Sequence, residues 1–170
     1  MNSPALRGAI FMLVVTASSV APVLATTIYD VQYTTDPTGN SPLMGQVVTV
    51  QGIVYALYPP RSFAIAEAAG AWHGVYVYLS PNPGTLPVAL GDTVQVTGTV
   101  QEYYNLTEIG CAASAVTVQS SGGTPHAATV VATAEVATGA VTAESYEGVL
   151  VEVQDVEVTS PPNIYGEFLV

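Results

Sequence analysis

Lysine is absent from the 170 residues, and Arg7 and Arg61 are the only basic side chains against thirteen Asp and Glu. If the first 25 residues are removed, Arg61 alone remains basic and the net charge is −12. Non-specific nucleic-acid affinity comes mainly from Lys and Arg displacing phosphate counterions, so direct DNA binding by this chain alone is disfavoured. Cysteine is nearly absent too. Cys111 is the single thiol, which excludes an intrachain disulfide and leaves stability to a packed core. Following Ile109-Gly110 at a strand end, it reads as a small buried residue, with nothing nearby in sequence to activate it. Motifs of catalysis are missing as well: there is no P-loop, GxSxG, HExxH, CxxC or GxGxxG. His73 and His126 stand apart, without a Cys, His or carboxylate at zinc-ligand spacing.

Charged residues make up only 9% of the chain and hydrophobic ones 49%, with a mean hydropathy of +0.44. The long apolar run lies at the N-terminus alone. Arg7 precedes Ile10 to Val15, and Val23-Leu24-Ala25 has the small-residue pattern of a signal-peptidase site, so residues 1–25 read as a cleaved secretory signal. An uncleaved anchor is the alternative, but Pro22 and the Thr/Ser residues shorten the apolar stretch below the ~20 residues a span needs. The expectation is an exported protein with no membrane span after cleavage. Its acidity is compatible with solubility, divalent-cation binding or a high-salt habitat.

What is present is β pattern. Residues 26–40 carry turn formers and the apolar anchors Ile28 and Val31, and read as a lead-in lying against a barrel. Residues 46–58 form the longest β-branched run, with Val48, Val50, Val54 and Ala56 alternating and Gly52 placed for a bulge or bend. A long first strand bent at a glycine suits a small closed barrel, because it then pairs at both ends. Residues 61–67 and 75–78 supply two more strands, the latter setting Tyr76 and Tyr78 on one face. Pro81, Pro83 and Pro87 make the next connection irregular. The stretch from Leu90 to Ile109 opens with a Gly-Asp turn and reverses at Tyr104-Asn105, giving strands four and five, which carry on to residues 115–118. Residues 119–128 read as a linker. Residues 135–146 suit a short helix or turn, and 148–159 alternate like a strand. The last residues, 166–170, begin a strand and stop, so a longer parent protein is expected. The fold expected is all-β: a five-stranded OB-type Greek-key barrel over 41–118, then a second, incomplete β unit over 129–170.

Several blocks carry a resemblance. The run Gly91-Asp92 to Ile109 resembles the signature GDxVxVxGxVxEYxxLTxI of the YhcR-type OB-fold family, a module of large secreted bacterial nucleases. Residues 41–52, SPLMGQVVTVQG, are similar to that module's opening, and Phe63 to Tyr78, with Trp72, Gly74, Val75 and Tyr76, to its second and third strands. Tyr146 to Val151 and Tyr165-Gly166-Glu167 resemble two later segments. The resemblance implies a non-catalytic accessory module of an exported bacterial protein, ahead of a metal-dependent endonuclease/exonuclease/phosphatase domain. That downstream domain would supply the catalytic residues and any Ca or Mg. Nucleic acid would then be reached through it, or through divalent ions bridging phosphate to the acidic surface. The competing classes are a free-standing structural domain and a small-ligand or carbohydrate binder.

The candidate ligand residues are Trp72, Tyr76, Tyr78, Tyr103 and Tyr104, joined by His73 as an aromatic platform for bases or sugars. The plainer reading is that these rings cap the barrel core. Glu102 and Glu108 flank the Tyr104-Asn105 turn, where two carboxylates brought together would share a cation or a proton. The plainer reading there is two solvated acids. Glu144, Glu147, Glu152, Asp155 and Glu157 make an acidic concentration read as a solvated face.

Overall fold

The computed structural model describes residues 26–164. The signal-peptide reading of 1–25 and the strand start read at 166–170 lie outside the described residues.

The chain is mostly β. Six strands form one sheet: β1 (Val47–Tyr58), β2 (Ser62–Ala66), β3 (Gly74–Leu79), β4 (Thr93–Tyr103), β5 (Leu106–Cys111) and β6 (Val116–Ser120). β1 pairs with β2 and β2 with β3, both antiparallel. β3 runs parallel to β5, and β5 pairs antiparallel with β4. β4 pairs in turn with β1, so the pairings return to their start, and β6 lies on β4 outside that cycle. Where five strands were expected, the Gly110-to-Ala115 stretch breaks after Cys111 into a single 3-10 turn, and β6 becomes a strand of its own.

β1 serves two neighbours. Val47–Ile53 pair with β4, and Ile53–Tyr58 with β2. The irregularity lies between Val54 and Ala56 rather than at Gly52. Its effect is to exchange faces, since a one-residue slip turns every later side chain over. Ala56 thus pairs with Ala64 on the outer face, and Leu57 packs against the core beside Phe63. Gly52 has a separate role: a Cβ there would lie 3.0 Å from the Ala66 carbonyl oxygen and 3.2 Å from the Ile28 side chain. The interior is filled by Val50, Val54, Phe63, Ile65, Val75, Val77, Leu79, Val94, Val96, Val100 and Ile109, an alternating β-branched and aromatic set.

A helix appears within the lead-in. α1 (Ile28–Gln32) starts with a capping box in which Thr27 and Asp30 exchange side-chain and backbone bonds. The Glu67 carboxylate, from the end of β2, accepts the Ile28 and Tyr29 N–H groups at 2.8 Å each. Ile28 and Val31 are thereby seated in the core at 0% exposure.

After β6 the chain forms little regular structure. Thr129–Val130 (β7) pairs parallel with Val151–Glu152 (β8), and two 3-10 turns cover 133–135 and 143–146. Among the described residues the alternating run 148–159 is a strand only at Val151–Glu152, where it pairs with β7, and beyond it Asp155 turns left-handed at φ 54°. The segment is fastened to the sheet by hydrogen bonds. Trp72 N–H donates to the Ser145 carbonyl at 2.7 Å, and Gln32 Nε2 to the Gly74 and Glu147 carbonyls at 2.7 and 3.3 Å. Tyr55 OH donates to the Gly148 carbonyl. Gly74 and Gly148 lie so close that a Cβ on Gly74 would sit 1.8 Å from the Gly148 oxygen. Among the described residues no helix is long and apolar enough to cross a membrane.

Candidate ligand-binding face

The β4–β5 hairpin turns on Tyr104 (φ 51°) and Asn105 (φ 63°), both left-handed as a two-residue primed turn requires. The turn fixes the pairs Tyr103↔Leu106, Glu102↔Thr107 and Gln101↔Glu108. Parallel pairing then sets Tyr76 beside Glu108 and Tyr78 beside Gly110. One row therefore crosses the outer face of three strands: Tyr76, Glu108, Gln101. Tyr78 flanks it on one side, and Tyr103 and Leu106 on the other. These six residues line a groove of about 390 Å3.

The floor beside this groove is small. Ser62 and Ala64 of β2 carry the outer face between Tyr58 and Tyr76, whose rings meet at 5.5 Å between centroids. Gly110 keeps the row clear, since a Cβ there would lie 2.9 Å from the Gln101 amide oxygen. Gln101 Nε2 donates to Glu108 Oε1 at 2.5 Å. Glu108 is only 3% exposed, and burial raises its pKa above the ordinary glutamate value, with the Gln101 bond pulling the other way. Arg61, the sole Arg or Lys of the described residues, donates to the Tyr78 hydroxyl and stands 5.3 Å from the centre of its ring.

The other candidates lie elsewhere. Tyr104 is 86% exposed, meets Tyr103 edge-on at 4.7 Å and does not line the groove. Trp72 sits in the turn before β3, at φ 71°, packed edge-on against Tyr33 at 5.6 Å. Tyr33 stacks on Tyr29, which tilts against His73, so Trp72 and His73 belong to a separate aromatic shelf built on α1. The expected single platform is two surfaces. Alternation along β3 governs Tyr76 and Tyr78 but has no hold on Trp72, which precedes the strand.

Glu102 and Glu108 are not brought together. Glu108 lies opposite Gln101 and next to Thr107, so it points to the face opposite Glu102. Glu102 instead accepts from Ser41 N–H at 2.8 Å and Thr107 Oγ1 at 2.7 Å. Its acidic neighbours are Glu144 and Glu147, which are partly buried against it and do not form a solvated face. Glu147 accepts the Thr107 N–H at 2.7 Å. Its pKa is pushed up to about 7, mainly by burial and further by the charges of Glu144 and Glu102, against the Thr107 bond. Glu144 is raised by burial and by Glu102. Among the described residues no group of three or more His, Cys, Asp or Glu is disposed to hold a metal ion. Cys111 is half-buried, with its thiol pushed up to about 11 by burial, which keeps it protonated and unreactive.

No family model matches the chain, and no curated protein matches it either.

Proposed function

We propose that this chain is a non-catalytic accessory module of an exported bacterial protein, built on an OB-type Greek-key barrel, that positions a ligand or a neighbouring domain on its tyrosine face. The observation that carries the reading is the groove itself: three tyrosines, an amide and a buried carboxyl converge over β3, β5 and β4. The cyclic pairing of β1, β2, β3, β5 and β4 supports the barrel. The separation of Glu102 from Glu108 leaves this face without the paired carboxyls on which most glycosidases rely. On this reading, a downstream metal-dependent nuclease domain would hold any Ca or Mg and do the chemistry. Nucleic acid would meet this module only through that domain or through bridging divalent ions, because the surface is acidic.

A small-ligand role for the same face is favoured over a purely structural one by the groove's size and buried polar groups. Tyr76→Ala and Tyr103→Ala should each impair ligand retention by the protein, and Trp72→Ala should not. Unchanged binding and activity in both tyrosine variants would overturn the reading. Retention of a single-stranded oligonucleotide at low salt in the presence of chelator would eliminate the ion bridge.

A further inference from the structure

We infer that the groove between Tyr76, Tyr78 and Tyr103 is a cage for a small organic cation, a trimethylammonium-type headgroup, with Glu108 as its counter-ion. The inference rests on the tyrosine face being the binding face. It adds the sign of the ligand's charge.

Five observations converge on it. Aromatic faces are negative and attract cations, and three tyrosines wall this groove. Glu108 is 3% exposed and lines the same groove, yet the only ion pair among the described residues is His73–Glu67, on the α1 shelf. A buried carboxylate with one amide donor and no counter-ion gains most from a cation delivered to it. The wall already holds one positive group: the Arg61 guanidinium stands 5.3 Å from the Tyr78 ring centre. The acidic chain draws cations toward it and repels phosphates and carboxylates. A volume of about 390 Å3 admits a headgroup of this size with chain attached.

The cation's charge separates this from a sugar stacked on the same rings. Choline is titrated into the protein by calorimetry beside 3,3-dimethylbutan-1-ol, which has the same shape and no charge. Choline should bind one-to-one, with the neutral compound at least about tenfold weaker, as expected when the charge carries the attraction. Tyr103→Ala, at a half-exposed hairpin position that does not threaten the core, should weaken choline roughly five- to thirty-fold. Arg61→Gln should tighten it by removing a competing cation. Equal binding of the two compounds, no binding of choline, or weakening in Arg61→Gln would each overturn the proposal. Vesicles of phosphatidylcholine distinguish the source: co-sedimentation that free choline displaces assigns the headgroup to a lipid, and none assigns it to a soluble cation. If choline fails but neutral oligosaccharides bind and lose affinity in Tyr103→Ala, the cation is wrong and the binding face stands. If none of these probes binds and the tyrosine variants alter nothing, both fall.

Discussion

The six-stranded sheet and the segment after it are held by different means. In the sheet, alternate residues of β1, β3 and β4 are buried, and β2 is buried along its whole length. In residues 121–164 only Val131 is a buried apolar residue among those described, and the strands are two residues long. That segment is held by the hydrogen bonds it accepts from Trp72, Gln32, Thr107 and Tyr55 and by the Gly74–Gly148 approach. Apolar burial is non-directional and cooperative over the whole interior, whereas hydrogen-bonded fastening is local and gives way piecewise. The sheet should therefore unfold as one unit and the segment should open first.

Three substitutions test that contrast, in falling order of effect. Phe63→Ala removes the largest fully buried side chain and should cost about 3–5 kcal/mol, lowering the denaturation midpoint of every probe together. Should the sheet survive it with only local change, the cooperative core is wrong. Gly74→Ala places a methyl group 1.8 Å from the Gly148 oxygen, with backbone on both sides. It should cost about 1–3 kcal/mol, concentrated in the segment, so that limited proteolysis cuts within 121–164 while β1–β5 stay intact. Equal proteolysis of wild type and variant would contradict the fastening.

The smallest effect is with pH. Glu147 has its pKa raised to about 7 from 4.5, so the folded state holds the proton more tightly than the unfolded chain. Its stabilising contribution is complete below about pH 4.5 and is lost as pH rises through about 7. The loss should be on the order of 1 kcal/mol after discounting for partial exposure, and Glu147→Gln should flatten it. A melting temperature that rises over this window would contradict the sign.

Much of the sheet was legible because its forces are periodic. β1, β3 and β4 follow from alternation, and the Tyr104-Asn105 reversal follows from turn chemistry. The separation of Glu102 from Glu108 was also available: a two-residue turn at 104–105 makes 102 face 107, which leaves 108 on the other side. What sequence could not supply came from distant partners. Five residues are too few for a helix to hold alone, and α1 depends on Glu67, 38 and 39 residues away from the amides it caps. The run 148–159 has a strand's alternation, but among the described residues its ladder pairing covers only Val151–Glu152, and a strand exists only where it is paired. Trp72 separated from the tyrosines because a turn, not a strand, sets its direction.

Ligand should meet the outer face of β3, β5 and β4 and not the Trp72 shelf. A choline titration followed by amide chemical shifts of the isotope-labelled protein tests it residue by residue. Shifts are expected at Tyr76, Tyr78, Gln101, Tyr103 and Glu108, with Tyr33 and Trp72 unmoved. Shifts confined to Tyr33, Trp72 and His73, or none at saturating choline, would contradict it.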